Sequence, residues 1–368
     1  MTKIKKDYSM KKSHHMFICK TLIFIVFTGF YAFTDVMAQD KNAGQPMPLF
    51  QSEEMLNLRL EADFRTVFSV KDDSTLFPAR LTLTGNDGVE RTIDVMIRTR
   101  GKTRRENDVC RFPPLRLEFS KPMTKGTPFE GQKALKLVTH CDKADFYEQN
   151  TILEYLIYKS YNVLTDSSFR VRPARIDYIF KDEKTDTIHK FAFFIEREKY
   201  LAERLHGIED ETKKMDPTRF NPFQSCLMDM FQYMIGNTDY SVYDLHNIIA
   251  ISDSAGRFPP IPVPYDFDWS GLISAEYAVP HPIINTDHVS ERVYRGFKKE
   301  EFVVYHTIEL FKSRKNDIYK VFESSDILSD NKQKQVVKYL DGFYEILYND
   351  KKIKTEFFEN ARVVKGEE

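Results

Sequence analysis

Between residues 237 and 271, the chain gathers acidic and amide side chains around two short apolar stretches. Asp239 and Asn247 precede the stretch IIAI, and Asp266 follows the stretch IPVP. Carboxylate and amide oxygens are the ligands that Mg²⁺ prefers, and a carboxylate can accept the proton of an attacking hydroxyl. The order predicts phosphoryl transfer through a divalent metal, with Asp239 as catalytic acid and Asn247 and Asp266 as metal ligands.

Two neighbouring residues compete for these roles. The interval from Asp239 to Asn247 is longer than the Asp-x4-Asn interval of ordinary protein kinases. Asp244 is therefore an alternative to Asp239 as the catalytic acid, and Asn237 is an alternative to Asn247 as the ligand.

A lysine and a glutamate upstream have the spacing of a phosphate-binding ion pair. Lys136 lies within the predicted strand ALKLV, and Glu154 lies on the predicted helix from Asp145 to Tyr161. Protein kinases place a Lys–Glu pair on such a strand and helix. We predict that Lys136 and Glu154 point into one cleft, within about 4 Å. The alternatives are a solvent-facing Lys136, and Glu154 or Glu148 as an ordinary surface acid.

The elements that must position these residues form two groups. Seven stretches with alternating or continuous apolar residues predict strands before residue 199. They are FRTVFSV, PARLTLTG, TIDVMIRTRG, LRLEFSK, ALKLVTH, RPARIDYIF and KFAFFIERE. Later stretches predict helices: KYLAERLHG, a helix opened by Asn221-Pro222 and closed by Gly236, and several after about residue 290. HNIIAI and PIPVPYDFD between them predict a hairpin-like pair.

This order predicts an α+β chain of two lobes. A β-rich N-lobe covers residues 56–198, and a mainly helical C-lobe covers residues 199–368 and carries the acidic turns. A cleft between two such lobes is a common ligand site.

The composition supports a folded protein. Of 368 residues, 42% are hydrophobic and 14% aromatic, which suffices for a packed core. A formal net charge of −1 provides no overall basic field, so nucleic acid is not an expected partner. Without CxxC or HExxH, the sequence also lacks the usual zinc motifs.

The N-terminal 38 residues predict a secretory signal peptide. A basic stretch precedes an apolar run over residues 16–33, and a small residue, Ala38, marks the cleavage region. A single membrane anchor is the alternative. Residues 39–55 predict a flexible mature N-terminus, and the mature protein would be periplasmic or extracellular without membrane attachment.

Export would allow a disulfide. Cys110 and Cys141 each lie beside a predicted strand, and we predict Cα atoms less than about 7 Å apart. Cys226, within FQSCLMDMF, is predicted to be a buried thiol on a helix.

Four parts of the chain together resemble the CotH kinase family, the atypical protein kinases related to spore coat protein H. They are MIRTRGKTRR, PPLRLEFSK with ALKLVTHCDKADFYEQNTILEYL, FAFFIEREKYL, and GNTDYSVYDLHNI with PVPYDFDWSG. The resemblance spans residues 90–275 approximately. It implies an atypical protein-kinase-like bilobal fold without a conventional Gly-rich loop, and no GxGxxG occurs in the chain.

The resemblance also implies site residues. It makes Asp239 the catalytic acid, Asp266 a magnesium ligand and Lys136 a phosphate contact. It further places Glu196 at the start of the lobe hinge near adenine, and it places Arg100 and Lys102 near the phosphates. The alternative for the last two is a solvated basic turn.

The expected function is that of an exported CotH-like kinase. It would transfer the γ-phosphoryl group of ATP, with Mg²⁺ or Mn²⁺, to a hydroxyl of a protein or glycan. The alternative is a catalytically inactive kinase-like scaffold that acts as a surface or assembly protein. The DFD triplet also suits an aspartyl-phosphate phosphatase or a glycosyltransferase. Against both, prolines interrupt the preceding strand at Pro260, Pro262 and Pro264, which is unlike a central parallel strand.

Overall fold

The strands form two sheets in the computed structural model, which describes residues 44–70, 72–85, 88–106, 109–181, 185–280 and 282–364. In these residues the strands are β1 Leu56–Ala62, β2 Phe77–Thr84, β3 Glu90–Thr99, β4 Leu115–Phe119, β5 Ala134–Val138, β6 Val171–Phe180, β7 Ile188–Ile195, β8 Gly207–Glu209, β9 Ile248–Asp253 and β10 Ile261–Pro264. Seven close into a barrel in the order β1-β2-β3-β4-β5-β7-β6, and β10-β9-β8 form a separate sheet.

The helices lie between and after these strands. Within the described residues they are α1 Phe64–Ser69, α2 Lys121–Thr124, α3 Asp145–Leu164, α4 Glu198–Arg204, α5 Pro222–Ile235, α6 Glu301–Glu323, α7 Asp330–Leu347 and α8 Asp350–Lys354. None of the described helices is long and apolar enough to cross a lipid bilayer.

The barrel closes through one parallel pair. Strand β1 runs parallel to β6, with Leu56 opposite Ala174 and Ala62 opposite Phe180. All other neighbouring strands in the barrel are antiparallel. A closed barrel has no unpaired edge strand, so the sheet is complete without a second lobe.

Strand β7 shows how the barrel meets the helices. Ala192 and Phe194 belong to the apolar core inside the barrel. Phe191, Phe193 and Ile195 alternate with them and belong to the core shared with the helices. Both faces of this strand are therefore buried, which explains its continuous apolar sequence.

The expected bilobal kinase-like fold is wrong. Leu153 of α3, Phe193 of β7, Phe231 of α5 and Ile308 of α6 belong to one continuous apolar core. This core crosses the boundary expected at residue 198. Residues from Gly44 onward form a single compact unit and do not divide into a β-rich lobe and a helical lobe. The observed architecture is a closed mixed barrel with helices packed against its outer face.

One strand assignment near the N-terminal side also needs correction. FRTVFSV, expected as a strand, forms α1, because Asp63 caps the helix by accepting a hydrogen bond from Thr66 N at 3.1 Å. Phe64 and Val67, one turn apart, are its buried side chains. The strand lies just upstream as β1.

Other expectations are confirmed. The predicted helix from Asp145 is α3, and β9 pairs antiparallel with β10 as the expected hairpin-like pair. Helix α5 begins after Asn221, whose side chain accepts from two backbone N–H groups. It ends at Gly236, which has a φ of 66° that suits glycine.

The cysteine predictions are also confirmed. Cys110 and Cys141 form a disulfide with Cα atoms 4.7 Å apart. Cys226 is a free thiol buried on α5, and burial raises its pKa to about 12.

The signal peptide expected over residues 1–38, like residues 39–43, lies outside the described residues. Of the segment expected to be flexible, residues 48–50 form a short 3-10 helix. Its Leu49 and Phe50 are buried in the core of the barrel.

Candidate functional site

The end of the β9–β10 pair brings two predicted metal ligands together. Asn247 directly precedes β9 and Asp266 follows β10 by two residues, while Tyr265 N donates to Asn247 O at 3.0 Å. Both Asn247 and Asp266 have left-handed backbone conformations, with φ of 54° and 60°. Non-glycine residues in this region are uncommon and concentrate at functional sites.

Asp239 joins the same end of this pair. The Asn247 side-chain amide donates to the Asp239 carbonyl at 2.7 Å and to its Oδ2 at 3.0 Å. His246 Nε2 lies 3.1 Å from Asp239 Oδ1, and this hydrogen bond raises the pKa of His246. The structure thus brings Asp239, Asn247 and Asp266 to one place.

The competing acid, Asp244, has a different environment. Its side chain is 58% exposed, whereas that of Asp239 is 29% exposed. Asp244 accepts a hydrogen bond from Ser241 Oγ at 3.1 Å within its own turn. The geometry favours Asp239 as the acid of the site.

The competing amide, Asn237, has a structural role. It is buried, donates to Gln232 Oε1 at 3.0 Å, and accepts from Asp239 N at 3.0 Å. Asn237 therefore orients the Asp239 turn, and Asn247 is the amide that lies beside Asp266.

Arg104 lies at the centre of the site, although no sequence pattern predicted a role for it there. It belongs to a short 3-10 helix after β3 and is buried. Its Nη2 lies 2.9 Å from Asp266 Oδ1, its Nε 3.2 Å from Asp268 Oδ2, and its Nη1 3.4 Å from Glu154 Oε2. We call Arg104, Glu154, Asp266 and Asp268 the acidic centre.

Burial and the arginine charge act against each other in the acidic centre. Burial raises the pKa of Glu154 to about 8 and that of Asp268 to about 6, although Arg104 lowers both. Burial would also raise the pKa of Asp266, but Arg104, Arg100 and Lys136 outweigh it and lower that pKa. Asp266 is therefore the acid of the centre whose ionised form its surroundings favour.

Two tyrosines, the buried Tyr158 and the half-buried Tyr277, hydrogen-bond to these acids. Tyr158 OH, on α3, accepts a hydrogen bond from Asp266 N at 2.8 Å. Tyr277 OH donates to Asp268 Oδ2 at 2.9 Å. The chain's single tryptophan, Trp269, is half-buried and lies with its ring centroid 6.5 Å from that of Tyr277.

The predicted Lys136–Glu154 ion pair is wrong. Lys136 on β5 pairs with Glu198 at the start of α4, and Glu154 pairs with Arg104. The alternative acid, Glu148, pairs with Lys190 at 3.0 Å. Arg104 can reach Glu154 because the turn after β3 folds back over α3.

Lys136 nevertheless lies near the site. Its Nζ is 5.1 Å from the centroid of the Tyr265 ring, and its positive charge is one of those that lower the pKa of Asp266. Lys136 therefore adds positive potential beside the acidic centre, with Glu198 as its partner.

Glu196, expected at a hinge near adenine, is part of a buried network. It is fully buried and pairs with Arg204 at 3.0 Å. Its Oε2 also accepts from Arg170 N at 3.1 Å, and its backbone N–H donates to Arg170 O at 2.9 Å. Its carboxylate and its N–H thus already have protein partners.

Arg100 and Lys102 both precede the turn that carries Arg104. Arg100 is half-buried, and its Nη1 is a buried atom without a hydrogen-bond partner in the described structure. Its charge helps to lower the pKa of Asp266. Lys102 is exposed to solvent.

These residues can be compared with the needs of a magnesium ion. Among the described residues, no three or more His, Cys, Asp or Glu side chains group closely enough to hold a metal ion by themselves. Magnesium bound with a nucleotide needs fewer protein ligands, since it takes one or two carboxylates plus phosphate and water oxygens. Asp266 supplies one such carboxylate, since its ion pair with Arg104 uses Oδ1, and Asn247 supplies an amide oxygen as a further ligand of the kind that magnesium takes.

The fold and the site together define a class of structure. It is a closed mixed barrel with an acidic centre on the side where the helices pack. No protein-family model matches the chain, and no curated protein matches it either.

Proposed function

We propose that this protein is a phosphotransferase that uses magnesium or manganese to transfer the γ-phosphoryl group of ATP to a hydroxyl of a protein or glycan. The observation that carries the proposal is the meeting of Asp239, Asn247 and Asp266 at one end of the β9–β10 pair. The resemblance to CotH kinases points to the same chemistry. The barrel would serve as the scaffold.

Asp266 and Asn247 are the proposed metal ligands. Asp266 has a lowered pKa, so it remains a carboxylate at neutral pH and retains its affinity for a cation. Magnesium would neutralise charge on the phosphates of ATP. Both residues have a left-handed backbone conformation, which persists at non-glycine residues where the surrounding structure holds it in place.

Asp239 is the proposed acceptor of the proton from the attacking hydroxyl. His246 and Asn247 each contact one of its carboxylate oxygens, which limits its rotation. The side chain keeps partial exposure, so an acceptor hydroxyl can approach it. Asp239 would thus orient the hydroxyl toward the γ-phosphorus and take up its proton.

Lys136 and Arg100 are the proposed phosphate contacts. Both lower the pKa of Asp266 through their charge, so both lie close enough to attract a phosphate bound beside that residue. Lys102, exposed on the same turn as Arg100, would add positive potential at the rim.

Export to an oxidising compartment is part of the proposal. The Cys110–Cys141 disulfide supports it, since such bonds persist in exported proteins and are rare in reducing compartments.

The test is magnesium-dependent stabilisation by ATP. At an ATP concentration of about 100 times Kd, binding should raise the free energy of unfolding by about 2.7 kcal/mol. Asp266→Ala should abolish this increase. Asp253→Ala is the matched control, because Asp253 ends β9 at its far end and pairs with Arg257. An unmodified protein with no response to ATP and magnesium would refute the proposal.

One observation favours a second candidate, a catalytically inactive scaffold that acts as a surface or assembly protein. Arg104 already pairs with Asp266 Oδ1, so the guanidinium of the chain itself occupies one oxygen of the predicted metal ligand. A folded protein that binds neither ATP nor magnesium would support this candidate.

A further inference from the structure

The acidic centre already contains a cation supplied by the chain itself. The Arg104 guanidinium contacts three carboxylates, those of Asp266, Asp268 and Glu154, at 2.9 to 3.4 Å. Its side chain is only 8% exposed, so it is a built part of the interior. Arginine keeps its charge at all relevant pH values.

We propose that Arg104 takes the place of a second divalent cation and limits the site to one metal ion per nucleotide. This inference rests on the proposed function and specifies its metal requirement. In ordinary protein kinases, two magnesium ions are held by the Asp of the metal-binding turn and by an Asn. Here the side of Asp266 that faces Asp268 is held by a guanidinium instead.

The distribution of oxygens around Asp266 supports this division. Its Oδ1 pairs with Arg104, which leaves Oδ2 as the oxygen proposed for the metal. A second divalent ion between Asp266 and Asp268 would lie close to a buried guanidinium, and like charges repel strongly where water is excluded.

Glu154 provides an independent observation. This residue is buried, its Oε2 contacts Arg104, and its Oε1 is a buried atom without a hydrogen-bond partner in the described structure. Buried carboxylate oxygens are rarely left unpaired. Removal of Arg104 would leave three carboxylates without the partner that they share, and carboxylate oxygens are the ligands that a hard divalent cation prefers.

The experiment counts metal ions per nucleotide. Protein is equilibrated by dialysis against Mn²⁺ and a non-hydrolysable ATP analogue, and the protein-bound manganese and nucleotide are measured. The unmodified protein should retain about one manganese ion per nucleotide. Arg104→Met, a neutral side chain of similar length, should retain about two, as in kinases with two metal ions.

Two variants serve as controls. Arg104→Lys keeps a positive charge and should retain about one manganese ion per nucleotide. Arg105→Met changes the adjacent residue, which pairs with Asp73 outside the acidic centre, and should also retain about one. Far-UV circular dichroism checks each fold. If Arg104→Met does not fold, the double variant Arg104→Gln with Glu154→Gln removes one charge of each sign and should retain about two.

The outcomes separate this inference from the proposed function. Two manganese ions per nucleotide in the unmodified protein would overturn the inference and leave the proposed function standing. A folded Arg104→Met variant that still retains one ion would also overturn it. No bound nucleotide in the unmodified protein would overturn the proposed function and this inference together.

Discussion

At the scale of single residues, Asp239 has the contacts expected of a proton acceptor. We predict that Asp239→Asn lowers the rate of phosphoryl transfer by about 10²- to 10⁴-fold, the usual contribution of a general base. Stabilisation by magnesium and ATP should persist, since Asp239 is not a proposed metal ligand. Labelled ATP measures transfer, and thermal unfolding measures binding.

The control is Asp244→Asn, because Asp244 is more exposed and bonds within its own turn. It should transfer at the unmodified rate. Loss of transfer in this variant, with transfer retained in Asp239→Asn, would move the catalytic role to Asp244.

Asp229 makes the stability of the protein depend on pH. It is fully buried on α5, and burial raises its pKa from 3.8 to about 6, although Lys299 and Arg362 lower it. Because the pKa of this carboxyl is higher in the folded than in the unfolded protein, protonation of Asp229 stabilises the folded state. This stabilisation is complete below about pH 4 and is lost as the pH rises to about 6.

We therefore predict that Asp229→Asn removes this dependence. The amide keeps an acceptor for Tyr240 OH, which lies 3.2 Å from Asp229 Oδ1. Between pH 4 and pH 7, the variant should gain about 2–3 kcal/mol of unfolding free energy relative to the unmodified protein. Urea denaturation at each pH measures this, and a constant difference would contradict it.

The sequence predicted some site residues and missed others for a physical reason. Asp239, Asn247 and Asp266 flank two strands that pair locally, so their order along the chain indicates their meeting. Arg104 lies 162 positions from Asp266, and its sequence, RGKTRR, resembles a solvated basic turn. Only the packing of that turn over α3 distinguishes Arg104 from Lys102.

At the scale of elements, local patterns predicted helices better than strand partners. Helices α3 and α5 carry their own signals, such as the Asn221 cap and the terminal Gly236. FRTVFSV is rich in residues typical of strands, but the Asp63 cap and the burial of residues one turn apart favour a helix. Strand propensity alone does not show that the cap and the burial pattern favour a helix here.

The disulfide is the element-scale feature most open to measurement. It closes a loop with a sequence separation of 31 residues. The double variant Cys110→Ser with Cys141→Ser should lose about 3–4 kcal/mol of unfolding free energy, as expected for a loop of that size. Chemical denaturation measures the loss.

A reducing agent provides the control for this prediction. It should lower the stability of the unmodified protein toward that of the double variant and leave the double variant unchanged. Equal stabilities of the unmodified protein and the double variant, both measured without reducing agent, would contradict the prediction.

At the scale of the whole molecule, the shared core excludes independent halves. Residues of β7, α3, α5 and α6 pack in one apolar cluster. We predict that a fragment of residues 199–368 shows no cooperative unfolding, because it lacks the β7 and α3 surfaces that cover its helices. Circular dichroism during urea denaturation measures this, with residues 44–368 as the folded control.

A fragment that unfolds in one sharp transition would contradict that prediction and would restore a separate helical lobe. The sequence suggested two lobes because its strands precede most of its helices. The parallel pairing of β1 with β6, which closes the barrel, joins segments more than a hundred residues apart. No local pattern specifies such a register, since it depends on the whole barrel.

The disulfide also has a consequence for the maturation of the protein. Cys110 follows the turn that carries Arg104, and Cys141 lies four residues before the start of α3, which carries Glu154. The bond therefore ties together the two segments whose side chains meet in the acidic centre. A newly synthesised chain in a reducing compartment lacks this tie and acquires it only upon oxidation. The disulfide thus restrains the two sides of the acidic centre only in the oxidised protein.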